Sequence, residues 1–186
     1  MLFRSLSAAT DARWADVQNV YQRRSDLIPN LVSTVQGAAN FEKDTLTAVT
    51  EARASVGRAT ITPGQAPTDP ESLARFQQAQ DQLGSALQRL LVVSERYPEL
   101  RANQNFRDLQ AQLEGTENRI TVARQRFNES AQSYNTVLKK FPTNMLAGLF
   151  GFKEKPYFKA ITPGAEQAPK VQFDFGKPAP TAAPAQ

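Results

Sequence analysis

The sequence predicts an all-α fold: an antiparallel, up-and-down four-helix bundle with long first and last helices and an irregular C-terminal extension. Two observations carry that expectation. Apolar residues recur in steps of three and four from the beginning of the chain to about Phe141, which places them on one face of successive helices. The breaks in that rhythm fall where Gly, Pro and Asn cluster, and they divide it into four segments.

The first segment carries Phe3, Thr10, Trp14, Val17, Tyr21, Arg24, Ile28, Leu31, Val35 and Ala38 on one stripe. The phase runs through Pro29 without a slip. An interior proline costs about 3 kcal/mol, yet a break at residues 26–29 would have no reason to preserve the phase. A continuous, kinked helix roughly 50 Å long at 1.5 Å per residue is therefore expected. Gly37-Ala38-Ala39-Asn40 ends it. A second helix begins near Phe41-Glu42, has Leu46, Val49, Arg53 and Val56 on its stripe, and ends around Gly57-Arg58.

Thr60 to Pro70 contains three prolines and a glycine and reads as a mobile surface loop. Asp69 is a good N-cap with Pro70 at the first helical position. The third helix then carries Leu73, Phe76, Leu83, Leu87, Leu90 and Leu91 and stops at Tyr97-Pro98. After a short connection over Glu99–Asn103, the fourth presents Phe106, Leu109, Leu113, Thr116, Ile120, Ala123, Phe127, Ala131, Tyr134, Leu138 and Phe141. Short connections favour the up-and-down order, and the 3.5-residue repeat favours left-handed, coiled-coil-like packing. A three-helix bundle with a frayed second segment is the structural alternative.

Beyond Phe141 the texture changes. Met145 to Phe152 is a short apolar run, Tyr157-Phe158 an aromatic pair, and Lys170 to Phe175 an alternating stretch that reads as extended. Residues 1–158 are thus expected to form the helical domain, 159–175 an extended segment, and 176–186 a disordered Pro/Ala tail.

Composition narrows the function. The chain of 186 residues has no Cys and no His. Thiol nucleophiles, disulfides, thiolate metal sites and a Ser-His-Asp arrangement are impossible, and the commonest general base is absent. The net charge of +4 comes from 22 basic and 18 acidic residues, well mixed along the chain. A nucleic-acid partner would call for a concentrated basic face. There is no Gly-rich phosphate loop, so no nucleotide is expected. The opening residues, Met1 to Leu6, are too short and polar to span a bilayer.

Two arginines fall on apolar stripes, Arg24 and Arg53. A core-facing charge needs a partner, and Glu114 and Glu117 on the fourth helix are the candidates for buried ion pairs; an anion site between helices is the sharper alternative. The same two glutamates could serve a carboxylate-only metal centre or hydrolase, but bundle metal sites use Glu-x-x-His and no His exists. No metal or cofactor is expected. Asn118, Asn128 and Asn135 are unusual on a helix and read as buried amides that fix helix register. The apolar run, with Met145, Leu146, Leu149, Phe150 and Phe152 as its contact residues, either caps the bundle or is exposed to a membrane surface or protein partner, with Lys153 and Lys155 beside it. Long bundles with residual apolar stripes can also self-assemble into coats that shape membranes, so a homo-oligomer is a second expectation.

Several strings resemble the LemA family: Gln22-Arg23-Arg24-Ser25-Asp26-Leu27-Ile28-Pro29-Asn30-Leu31-Val32, Tyr97 to Phe106, Glu117-Asn118-Arg119-Ile120, Ala123-Arg124, Tyr134-Asn135, Phe141-Pro142 and Leu146 to Phe152. The resemblance covers about Phe3 to Phe175, in the family's order. It implies a bacterial protein with a hydrophobic N-terminal anchor, ahead of Met1 in this numbering, followed by a helical bundle displayed outside the cytoplasm. It implies no biochemical activity. The expectation is a non-enzymatic, membrane-tethered scaffold or interaction domain.

Overall fold

A computed structural model describes residues 2–38, 41–59, 61–141 and 143–159, apart from the side chains of Leu2, Leu146 and Leu149. Among the described residues six helices follow one another: α1 (Leu2–Gln36), α2 (Lys43–Arg58), α3 (Pro70–Ser94), α4 (Pro98–Ala102), α5 (Gln104–Lys139) and α6 (Thr143–Leu149). The described residues contain no strand. The extended segment and tail expected after Lys159 lie outside the described residues.

α1 is continuous through Pro29. Pro29 supplies no backbone donor, but the neighbouring turns are reinforced by Ser33, whose hydroxyl donates to the Pro29 carbonyl at 2.9 Å, and by Thr34, which donates to the Asn30 carbonyl at 2.8 Å. The face from Thr10 to Val35 is buried at every stripe position. Burial of large apolar side chains at about 1.5–3 kcal/mol each outweighs one proline penalty. At the start of α3, the Asp69 side chain accepts from the backbone N–H groups of Glu71 and Ser72, and Pro70 occupies the first turn. The Ser72 hydroxyl, which also donates to this carboxylate, together with these backbone bonds holds the Asp69 carboxyl below the usual carboxylate range. The stretch Glu99–Asn103, expected as a connection, lies largely in the short helix α4; Pro98 starts it and Leu100 anchors it in the core.

Partner residues give the directions. Thr10 meets Ser130, Tyr21 meets Arg124, and Arg24 meets Glu117, so α1 and α5 run antiparallel along their length. Phe41 packs on Tyr97 and Glu42 pairs with Arg96 at one end of the α2–α3 pair; these two are also antiparallel. Trp14 and Tyr21 touch Phe76, and Arg24 reaches Gln80, which aligns α3 with α1. One apolar cluster surrounds Trp14, Phe76 and Phe127. A second surrounds Leu31, Leu90 and Phe106, and a third joins Tyr134, Leu138 and Ala147 to Phe3, Leu6 and Phe152.

The 61–69 loop is tied down where a mobile excursion was expected. Its Ala66 N–H donates to Asp11 at 2.9 Å and its Gly64 N–H to Gln18 at 3.0 Å, with Gly64 at φ 75° making the turn. Ala66 and Pro67 are buried. Two polar side chains of α1, Asp11 and Gln18, about two turns apart, supply the anchors, a match that only the fold brings about.

Candidate functional site

Two ion pairs lie at mid-height between α1, α3 and α5. Arg24, 3% exposed, donates to Glu117 at 3.0 Å and to the Gln80 carbonyl and side-chain oxygen at 2.8 and 2.6 Å. Arg124 donates to Asp81 at 2.7 Å and to the Tyr21 hydroxyl. Both guanidiniums lie over the Tyr21 ring, at 5.2 and 5.5 Å from its centroid. Burial pushes the Tyr21 phenol up to about 12, against the pull of the two cations. Arg24 Nε and Arg124 Nη1 are buried without a hydrogen-bond partner among the described residues. Such pairs add little net stability over an apolar core but penalise any other alignment of the helices.

The other two candidates for this cluster sit elsewhere. Arg53 is exposed, because α2 buries Thr45 and Val49 with Ala52 and Val56 partly covered, and position 53 is rotated off that face. Glu114 is also exposed and accepts from Gln110 at 3.1 Å; it follows Leu113, whose side chain takes the inward position. Residue spacing could have exposed this for Glu114, which lies one step off its stripe. It could not for Arg53, whose phase fits either edge. Arg124 and Asp81 were missed for the same reason: both sit one position beyond an inward residue and reach back to the seam.

A second polar constellation was not anticipated. After α6, Gly151 adopts φ 70°, a left-handed conformation that glycine takes without a Cβ penalty. The chain turns there so that Phe152 stacks on Phe3 at 5.3 Å. Residues 152–159 then run as an extended strap across α5 and α3. Three side-chain amides each grip one strap residue by both its N–H and its C=O. Asn135 holds Lys155 at 2.9 and 2.8 Å, Asn128 holds Phe158 at 2.9 and 3.0 Å, and Gln77 holds Lys159 at 3.1 and 3.0 Å. The asparagines read as register-fixing amides thus serve the strap, and Asn118 is exposed. Lys155, 5% exposed, donates to Asp11 at 3.4 Å and to the Ala66 carbonyl at 3.1 Å. Phe158 packs against Trp14 and Phe127. One ammonium therefore joins the strap, the 61–69 loop and α1.

The apolar run divides. Ala147 is buried and Phe152 is partly covered against the third cluster, whereas Met145 and Phe150 are 69% and 68% exposed and the preceding Phe141 is 79% exposed. The side chains of Leu146 and Leu149 lie outside the described residues. The Phe3–Phe152 stack puts this exposed apolar group at the end of the molecule where α1 begins.

On the flank between α1 and α2 opens a groove of about 990 Å³. Tyr21, Phe76, Val56 and Ile61 supply its apolar lining, Gln18, Gln22, Thr50 and Gln80 its polar lining, and Arg53 its one charge. Among the described residues no group of three or more acidic side chains is placed to hold a metal ion, and no helix is long and apolar enough to cross a membrane.

These features define an all-helical domain whose interior charges hold its own elements in place and whose outward specialisations are an apolar end and an open groove. The chain belongs to the LemA family, whose profile matches residues 13–173. It is 37% identical over 75 residues to the magnetosome protein MamQ of Magnetospirillum gryphiswaldense, a stretch covering 40% of this chain and 28% of that protein. The magnetosome proteins MamQ 1 and MamQ 2 of Paramagnetospirillum magneticum are each 37% identical over 76 residues, covering 41% of this chain and 28% of theirs. The match thus spans little more than a quarter of the length of these curated relatives.

Proposed function

We propose that the protein is a non-enzymatic, membrane-associated scaffold of the bacterial cell, displayed outside the cytoplasm, that meets the bilayer with its apolar end. The observation that carries this reading is the exposure of Phe141, Met145 and Phe150 at the end where α1 begins. A hydrophobic anchor ahead of α1, which the family resemblance implies, would bring that end to the membrane. Lys140 and Lys153 are exposed beside it and suit anionic headgroups. Met and Phe on a short helix and its flanks are the side chains that partition into the interfacial region.

The reading takes the body as an up-and-down four-helix bundle with coiled-coil-like packing; the antiparallel α1–α5 and α2–α3 pairs support it. It also takes the protein to act by binding: both buried arginines are engaged by side chains of the domain itself, so neither is poised over a substrate. The name of the magnetosome relatives fits a protein that serves a larger cellular assembly.

The test is co-flotation with vesicles of phosphatidylglycerol and phosphatidylcholine. Each of the three side chains contributes about 1–2 kcal/mol when removed from water, so the triple variant Phe141→Ala, Met145→Ala, Phe150→Ala should partition about 100-fold or more less strongly, with unchanged helical circular dichroism. Undiminished flotation would sink the reading. Loss of self-association in place of vesicle binding would assign the apolar end to contacts between copies.

A further inference from the structure

The groove between α1 and α2 is kept open by the side chains that line it. Ala15 on α1 and Ala54 and Gly57 on α2 face it with little or no side chain, and a methyl group placed on Gly57 would meet nothing within 4 Å. The 61–64 turn forms a further wall. Gln18 holds that turn in place: its amide oxygen accepts from the Gly64 N–H at 3.0 Å, and its amide nitrogen donates to the Ile61 carbonyl at 3.4 Å. Along α1 the lining runs from Ala15 to Ser25, a length of about 15 Å at the helical rise.

Two hydrogen-bond donors at this groove lack an acceptor. Gln80 is 3% exposed, and its orientation is fixed from behind, because the Arg24 guanidinium donates to its Oε1 at 2.6 Å. The amide nitrogen must then turn away from that cation. It has no hydrogen-bond partner among the described residues, yet it is not sealed in the core, and Gln80 lines the groove. Arg53 is exposed at the rim and makes no ion pair among the described residues. No carboxylate lines the groove. Beneath these donors the buried Tyr21 and Phe76 rings give an apolar floor, with Val56 and Ile61 beside it.

We propose that the groove binds a small amphipathic carboxylate. The charged head pairs with Arg53 and accepts from the Gln80 amide, and the apolar body lies over Tyr21 and Phe76. A carboxylate is the acceptor-only group that answers a guanidinium and an amide N–H together. The volume of about 990 Å³ falls within the usual span for small-molecule sites, roughly 300–1,000 Å³. A linear alkyl carboxylate such as dodecanoate matches the length of the lined stretch of α1.

The test is a titration of the full, isotope-labelled chain with sodium dodecanoate, below its micelle concentration, followed by amide resonances. Those of Gly57, Gly64 and Gln80 should shift along a saturable curve. Arg53→Met should weaken binding about tenfold or more, the effect of losing one charge-assisted contact. Ala54→Leu, which fills the groove from α2, should weaken it at least as much. Both residues are exposed, so the helical circular dichroism of either variant should match that of the parent chain. Dodecyltrimethylammonium, with the same tail and the opposite charge, should give no saturable shift at these positions. Equal affinity for the two amphiphiles, or undiminished affinity in Arg53→Met, would overturn the proposal. So would shifts confined to Gly148 and Gly151, which would place dodecanoate on the apolar end alone.

Discussion

Lys155 offers the most discriminating test of how this fold is held. Its ammonium is almost wholly covered and has two partners, Asp11 Oδ1 at 3.4 Å and the Ala66 carbonyl at 3.1 Å. Removing the anion strands the cation. Asp11→Ala should cost about 3–5 kcal/mol, the range for an uncompensated buried charge, and it also strips the acceptor from the Ala66 N–H. Lys155→Met removes the charge but keeps most of the buried stem. It loses the hydrogen bond to the Ala66 carbonyl and the longer contact with Asp11, which keeps the Ala66 N–H as a donor, so its cost should be about 1 kcal/mol. The double variant Asp11→Ala, Lys155→Met should then be more stable than Asp11→Ala alone, with a coupling energy of about 2–3 kcal/mol. The assay is urea unfolding followed by the fluorescence of Trp14, the single tryptophan, which stacks on Phe158 of the strap at 6.0 Å. With a slope of about 2 kcal/mol per M, Asp11→Ala should lower the midpoint by roughly 1.5–2.5 M and Lys155→Met by about 0.5 M. Equal losses that simply add in the double variant would refute the claim that this ammonium is the knot between strap, loop and α1.

Three further outcomes are expected. Tyr21 titrates near 10 when unfolded and near 12 when folded, because burial disfavours the phenolate; its contribution to stability is complete below pH 10 and is lost as pH rises towards 12. Alkaline unfolding curves should be less steep in Tyr21→Phe across that window, and identical slopes would contradict the assignment. Pro29→Ala restores a backbone donor inside α1 and should raise stability by about 1–3 kcal/mol, seen as a higher Tm; a lower Tm would mean the proline shapes the helix for its contacts. Asp69→Ala removes both cap bonds of α3 and should lower the Tm in the same measurement, whereas Asp69→Asn should lower it less than half as much.

Helix positions were legible because helical periodicity is local. The stripe from Thr10 to Val35 is the buried face of α1, and the stripe from Phe106 to Leu138 is that of α5. Asp69-Pro70 marks the start of α3 to the residue. Phe141, placed at the end of the same stripe, is exposed, because α5 ends at Lys139 and the chain has already turned away. Residues one step beyond a stripe were the hard cases. Arg124 and Asp81 reach back inward from such positions, whereas Arg53, on its own stripe, is exposed, and nothing within the helix that carries each residue announces it.

What the sequence determined by itself was therefore the approximate extent of α1, α2, α3 and α5, most of each inward face and the chemistry that a chain without His or Cys cannot perform. Those depend on spacing over a few residues, which any single helix enforces. The tertiary structure decided which arginine meets which acid, how Asn128, Asn135 and Gln77 grip a distant backbone, and why a proline-rich loop is pinned. Each of those bonds joins groups 20 to 93 residues apart, and only the packing of α1, α3 and α5 brings them within 3 Å or so of one another.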